Sequence, residues 1–319
     1  MGSISNRAGQ ADDPKDGCLV MHAEMKQTCP ICHSTEWKAE YQGPVRDGVF
    51  GKYDDGIVWK CDGCGVSHLP PKEENLTDYY QSDEYREDVG EHADPQDYFS
   101  RHDDEQFDKA RFLKGTSFRG KVIADIGCAG GSFLDVAKGL AKASIAIEPG
   151  KSYHASLRER GHHVYDSLES AAEQWQGQVD VAVCFSVIEH VLDPVEFLTG
   201  IRKLLTPDGV LVLSTPNQRD ALLDFSGNPY RSFFYRRVHP WYFDEDCLRL
   251  ASTKSGMTFE PQYVQRFSFA NFAAWLREGK PTGNAHEAAL GPVFDDVWKS
   301  TLETQKKSDY LYGFCRPAA

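Results

Sequence analysis

The residue pattern points to an α/β fold, in which a mostly parallel sheet carries helices on both faces and a small four-cysteine module precedes it. Three observations lead there: short apolar runs alternating with helical stretches from Val122 onward, a glycine turn after the first run, and two close cysteine pairs before it. At 319 residues the chain has room for one large domain with an attached module.

Val122, Ile123 and Ala124 form an apolar run that ends at Asp125, after which Gly127, Gly130 and Gly131 give a turn without side-chain bulk and a helix begins near Ser132. A second run, 145–147, ends in Glu148. A carboxylate at that position is placed to accept hydrogen bonds from two ribose hydroxyls. The alternation continues as a helix at 153–160, a strand at 163–165, a helix at 168–175, a strand at 179–185 and a helix at 195–205. Pro207-Asp208-Gly209 then turns into a strand at 210–214. Upstream, 97–113 reads as a helix leaning on the sheet, and downstream a helix starts near Asp244, followed by an aromatic helix at 267–276. Ligands of such sheets bind at the carboxyl ends of the strands.

The glycine turn excludes two ligand classes. The dinucleotide fingerprint G-x-G-x-x-G does not fit, since Ala129 follows two residues after Gly127, and no G-K-[ST] or basic side chain stands ready for a phosphate. A ribose-bearing cofactor without phosphates fits. Thirty-five basic against 48 acidic residues give a formal charge of −13, which disfavours a nucleic-acid substrate. The polar N-terminus lacks the apolar core of a signal peptide and no run reaches the length of a membrane span, so a cytoplasmic protein without a membrane partner is expected; oligomeric state stays open.

Cys29-Pro-Ile-Cys32 and Cys61-Asp-Gly-Cys64 are two C-x2-C knuckles separated by 28 residues. Four thiolates from two such turns close a tetrahedral shell around zinc and leave no position for substrate, so Zn2+ is expected in a structural role. The Cys61 to Gly65 knuckle is also used by rubredoxin-like iron sites, which makes iron the rival. His33 and His68 read as ordinary surface histidines.

Together these residues carry a resemblance. DIGCAGG, Asp125 to Gly131, resembles the first motif of class I S-adenosylmethionine-dependent methyltransferases, D-x-G-x-G-x-G, with Ala129 in place of the middle glycine. The resemblance implies a Rossmann-like seven-stranded sheet whose last strand, at 308–316, is antiparallel. It implies S-adenosyl-L-methionine as cofactor, with Asp125, Gly127, Ala129 and Gly131 around its amino acid end. Glu148 then falls at the ribose, Ser167 and Leu168 beside the adenine, and Phe185 and Ser186 near the methyl. The element Tyr79, Tyr80 and Tyr85 resembles one found in zinc-ribbon methyltransferases of bacterial biosynthetic clusters, where it caps the cofactor, and so adds Tyr85 as a contact.

Glu189-His190 after the fourth strand is typical of the family. His190, taken with a pKa near neutrality, is the first candidate base and Glu189 its neighbour in the catalytic set. His239, in Val-His-Pro-Trp-Tyr-Phe, resembles the family's His-x-x-x-Phe element and is the second candidate. Some relatives bind a divalent metal through E-x-x-E-H, but Ser186 stands where the first glutamate would be. Arg231, Arg236 and Arg237 read as balancing an acidic surface, with contact to an anionic substrate as the alternative.

The expected organisation is a loose tail at 1–24, a zinc ribbon at 25–72, a helical cap at 73–116, and the cofactor domain at 117–319 with a substrate-lid insertion at about 217–245. The expected function is methyl transfer to an oxygen, nitrogen or carbon of a small biosynthetic intermediate, such as a nucleotide-activated sugar or a natural-product precursor. The alternatives are an RNA or protein methyltransferase that uses the ribbon for recognition, and a non-catalytic cofactor-binding scaffold.

Overall fold

The computed structural model describes residues 25–72, 79, 82, 94–113, 117–225, 227–282 and 290–318. The cysteine module contributes β1 (Trp37–Arg46), β2 (Tyr53–Cys61) and the short β3 (Ser67–His68). Helix α1 (Pro95–Phe112) follows, started by Asp94, whose carboxylate accepts from the amides of Gln96 and Asp97.

The α/β part then runs β4 (Val122–Ile126), α2 (Ser132–Lys138), β5 (Ala143–Ile147), α3 (His154–Glu159), β6 (His163–Tyr165), α4 (Leu168–Trp175), β7 (Val179–Phe185), α5 (Pro194–Leu204) and β8 (Leu205–Pro216). Short helices α6 (Ala221–Phe225) and α7 (Asn228–Phe234) lead to β9 (Trp241–Tyr242). The chain ends with α8 (Glu245–Lys254), β10 (Met257–Val264), α9 (Phe269–Glu278), α10 (Pro292–Thr304) and β11 (Tyr310–Pro317).

Seven strands form one sheet in the order β10-β11-β8-β7-β4-β5-β6, parallel except for β11, which runs antiparallel to both of its neighbours. This is the Rossmann-like sheet with one reversed strand expected above. The order reverses at β4, so β5 and β6 lie to one side and β7 and β8 to the other, and a crevice opens above the ends of β4, β5 and β7. Both faces of the sheet bury a core: Ala124, Ile126, Ile145 and Leu211 pack on one side, and Ile123, Ala146, Val181 and Val212 on the other. Such two-sided burial explains why the strands read as continuous apolar runs.

Pro207-Asp208-Gly209 behaves differently from a simple turn. Val179 faces Leu205 and Val181 faces Val210, so Thr206 to Gly209 bulge out of an otherwise continuous β8.

The four-stranded sheet of the cysteine module has the order β1-β2-β3-β9, so its last strand comes from the insertion rather than from the module. Leu69 donates its amide to the Pro240 carbonyl at 2.9 Å. Cys29, Ile31, Cys61 and Val66 share a continuous apolar cluster with Trp241, Phe243, Ile188 and Leu213. The module is thus built into the core that lies behind the crevice.

Candidate functional site

The crevice holds a cavity of about 430 Å³. Its floor is the turn after β4. Gly127 and Gly131 take φ of 72° and 84°, and Ala129 also lies in the left-handed region at 48°. The family motif's middle glycine therefore meets a real backbone demand, which alanine satisfies at some strain. Gly130 is needed for space: a Cβ there would lie 2.3 Å from the Tyr98 ring of α1.

Glu148, buried at the end of β5, ties this turn to the next. One carboxylate oxygen accepts the Ala129 amide and the other the Gly150 amide, both at 2.8 Å. The same carboxylate lines the cavity, and a carboxylate oxygen can accept more than one hydrogen bond, which is the capacity a ribose diol uses. Asp125 sits below, its pKa pushed up to about 7 chiefly by burial, with the Lys109 ammonium opposing and Glu148 adding to the rise.

Ser167 caps α4, accepting from the Ser170 amide, and Asp193 caps α5, accepting from the amides of Val195 and Glu196. Both helix starts line the cavity. Five carboxylates line the cavity (Glu148, Asp166, Glu169, Asp193 and Glu196), and among the described lining residues there is no lysine or arginine.

The far wall carries Glu189 and His190 on a single helical turn, with His239 from the insertion packed edge-on against His190 at 4.6 Å between ring centroids. Ligating atoms of Glu189, His190 and His239 all lie within 4.8 Å of one another. The near-neutral pKa taken for His190 is not what this setting gives. Burial pulls it down to about 3, the Arg236 charge acts in the same direction, and a hydrogen bond with the Val238 backbone opposes. Burial also pushes Glu189 up to about 8, so it is largely protonated at neutral pH, and holds His239 well below its ordinary value. Trp241 fixes the insertion to this wall by donating its indole N–H to the Val191 carbonyl at 2.9 Å.

A family model described as a methyltransferase domain matches residues 98–261, just over half of the chain. The chain belongs to this methyltransferase family. It is 34% identical over 108 residues to the ubiquinone biosynthesis O-methyltransferase of Psychrobacter cryohalolentis, covering 31% of this chain and 42% of that protein. To the mitochondrial ubiquinone biosynthesis O-methyltransferase of Schizosaccharomyces pombe it is 37% identical over 116 residues, covering 33% and 41%. The chain therefore matches about two fifths of the length of these curated relatives. Among solved structures it is similar to phosphoethanolamine N-methyltransferase 2 of Haemonchus contortus in complex with S-adenosyl-L-methionine, with a TM-score of 0.50 at 13% identity over 79% of this chain and 62% of that one. That likeness is one of fold.

Within the methyltransferase domain, Gly127, Ala129, Glu148, Ser167, Leu168, Ser186 and His190 line the cavity. Asp125 and Gly131 lie beneath the turn rather than on its surface, and Glu189 and His239 stand behind His190. Phe185 turns away from the cavity, its ring packing on Phe133 at 5.6 Å and on Tyr312 at 6.2 Å. Tyr85 lies outside the described residues. Sequence reading missed the apolar wall of Val187, Val191, Leu192 and Phe197. The apolar positions on either side of the Glu-His pair were its only signal.

In the cysteine centre, Sγ of Cys29 and Cys64 lie 3.7 Å apart and Sγ of Cys32 and Cys61 3.4 Å apart, with all four within 4.8 Å of one another. Tetrahedral zinc with bonds of about 2.3 Å sets its sulfurs about 3.8 Å apart, so the donor set fits that ion. The two knuckles repeat one geometry: the residue after each second cysteine, His33 and Gly65, has φ of 62° and 80°. His68 is not a surface residue; it is buried, its Nδ1 2.9 Å from the Pro240 carbonyl oxygen, and its ring packs at a tilt on Trp241 with 4.2 Å between centroids. Among the described residues no helix is long and apolar enough to cross a membrane.

Proposed function

We propose that this chain transfers the methyl group of S-adenosylmethionine to a small biosynthetic intermediate, in the class of nucleotide-activated sugars and natural-product precursors. The observation that carries the reading is the charge of the cavity. The Glu148 carboxylate stands over a glycine turn, four more acids line the same space, and the described lining residues include no lysine or arginine to meet a phosphate. That environment favours a cation with a ribose and repels a dinucleotide.

When bound, the cofactor supplies a methyl group on a positively charged sulfur, already activated for displacement. The protein's part is placement and proton removal. Asp125, Gly127, Ala129 and Gly131 shape the pocket for the amino acid end, Glu148 holds the ribose, and Ser167 and Leu168 flank the adenine. Ser186 and His190 border the place of transfer, and Phe185 supports them from behind. His190 is neutral and able to accept the proton that the acceptor group loses, while Glu189 and His239 hold its ring. The names of the curated relatives, O-methyltransferases, favour an oxygen acceptor.

Cys29, Cys32, Cys61 and Cys64 would hold zinc, joining the two knuckles and bracing β9. The organisation we propose keeps 25–72 as the ribbon and 117–319 as the cofactor domain, with 217–245 serving both as lid and as the last strand of the ribbon sheet. Calorimetry with S-adenosylhomocysteine tests the cofactor assignment. Release of S-adenosylhomocysteine across a panel of hydroxylated biosynthetic intermediates tests the reaction. No binding by the folded zinc-loaded protein rejects the proposal, and binding without turnover on any acceptor favours the scaffold reading.

A further inference from the structure

Arg46 ends β1 of the ribbon, and Arg236 lies in the insertion beside it. The two form an isolated parallel bridge, in which Arg46 donates its amide to the Tyr235 carbonyl at 2.8 Å and Arg237 donates to the Arg46 carbonyl at 2.9 Å. The Tyr242 hydroxyl pins the Arg236 backbone, accepting its amide at 2.6 Å. Two guanidinium groups are thereby held at one place by two separate segments of chain.

Their neighbour Arg237 shows what an ordinary structural arginine does here: it pairs with Asp54 at 3.0 Å and donates to the Pro70 carbonyl. Nε of all three arginines is buried without a hydrogen-bond partner, but unlike Arg237 neither Arg46 nor Arg236 has an ion pair among the described residues. The Arg46 guanidinium lies 4.0 Å over the Phe233 ring, which orients it without neutralising it. The same region holds further buried polar groups, namely Nδ1 of His239, which has no partner, and the Glu189 carboxyl, whose neighbour is the Thr215 hydroxyl. Such a cluster is uncommon in a folded interior unless a ligand completes it.

The groups that face the pair from the surrounding elements are Glu189 and His190 on the wall turn, His239 and Tyr242 in the insertion, Tyr53 on β2 and Tyr310 on β11. Glu189 is the one acid among them and burial keeps it largely protonated, so the cluster is net positive at neutral pH. In a chain of formal charge −13, two half-buried arginines without a counter-charge among the described residues point to a ligand and not to surface balance. His190 connects the cluster to the cavity wall.

We infer that Arg46 and Arg236 form an oxyanion site on the acceptor side of the cavity, and that the methyl acceptor carries a carboxylate or phosphoryl group seated between them. The inference rests on the methyl-transfer reading of the cavity. Planar guanidinium forks suit either anion, and positive charge disfavours a cation at Glu189, His190 and His239. An anion there also offsets the field that weakens His190 as a proton acceptor, which couples correct substrate binding to catalysis.

The test uses the full-length, zinc-loaded protein and three probes: inorganic phosphate, acetate, and chloride at matched ionic strength. Thermal shift and calorimetry are run on wild type, R46Q, R236Q and, as a control, R277Q, an exposed arginine on α9 that pairs with its neighbour Glu278. Phosphate or acetate should stabilise wild type and R277Q beyond chloride, with affinity at least tenfold weaker in R46Q and R236Q and S-adenosylhomocysteine affinity changed less than threefold. Phosphate alone points to a phosphoryl acceptor, and acetate alone to a carboxylate. Should either glutamine variant fail to fold, phenylglyoxal mapping of wild type replaces it, and the effective anion should protect Arg46 and Arg236 specifically. Equal responses in all variants, no response beyond chloride, or no protection overturns the inference. Failure of wild type to bind S-adenosylhomocysteine rejects the cofactor reading and leaves the anion result standing.

Discussion

Replacing Glu148 by glutamine separates its two duties. In the native turn each carboxylate oxygen accepts one amide at 2.8 Å, from Ala129 and Gly150, and the same carboxylate lines the cavity. Glutamine keeps one acceptor oxygen and turns an NH2 toward the second amide. That leaves one buried donor opposed, at about 1–3 kcal/mol of folding stability. Hydrogen bonds to a charged acceptor contribute about 1.5–3 kcal/mol each, so losing the charge and one acceptor toward a ribose diol should weaken cofactor binding by about 3 kcal/mol, or roughly 100-fold. Calorimetry with S-adenosylhomocysteine at a temperature where both proteins are folded reads the second effect, and urea unfolding of the same samples reads the first. A folded Glu148→Gln protein that binds S-adenosylhomocysteine within threefold of wild type would refute the ribose assignment, even if its stability fell as expected.

Cys61→Ser should abolish a stoichiometry near one zinc per chain by elemental analysis. Because Cys61 shares its core cluster with Trp241 and Ile188, it should lower the melting temperature and the S-adenosylhomocysteine affinity together; a visible charge-transfer band in wild type would indicate iron instead. Gly130→Ala places a Cβ 2.3 Å from the Tyr98 ring and should cost about 1–3 kcal/mol, with part recovered in the Gly130→Ala/Tyr98→Ala double variant by chemical denaturation. Asp220 is buried, and burial, with Asp309 adding, pushes its pKa up to about 7 while the Tyr230 hydroxyl opposes. A raised carboxyl pKa means the folded state holds its proton more tightly, so this contribution to stability is present below about pH 4 and is lost as pH rises through 7. Asp220→Asn should therefore gain on wild type between pH 5 and pH 8, bounded at about 4 kcal/mol from about 1.4 kcal/mol per pH unit, and urea melts with a constant difference across that range would contradict it.

The parts of the fold that were legible in the chain are those whose cause is local. The run Val122 to Ala124, the turn and Glu148 declare themselves because burial on both faces of a parallel strand, tight backbone turns and a strand-end carboxylate each leave a mark within a few residues. The helix caps Asp193 and Ser167 are of the same kind. Trp241-Tyr242 is not: two residues become a strand only because Ser67-His68, far away in sequence, supply the partner. The strongly depressed pKa of His190 was equally hidden, since it follows from burial and from Arg236 in the insertion. Among the three insertion arginines, Arg237 pairs with Asp54, while Arg236 has no ion pair among the described residues, and only tertiary pairing with the ribbon separates them.

The two sides of the site differ in both charge and origin. The cofactor side is acidic and is built wholly from the α/β sheet and its loops, with Glu148, Asp166, Glu169, Asp193 and Glu196 facing one space. The acceptor side we propose is basic and lies behind His190, with Arg46 from β1 of the ribbon and Arg236 from the insertion that completes the ribbon sheet. On that proposal a ribbon with no open coordination position would still bear on substrate choice, because zinc at the four cysteines would fix the strand that ends in Arg46 and, through β9, the segment that carries Arg236. Loss of the metal should therefore impair acceptor binding more than cofactor binding at temperatures where the seven-stranded sheet survives.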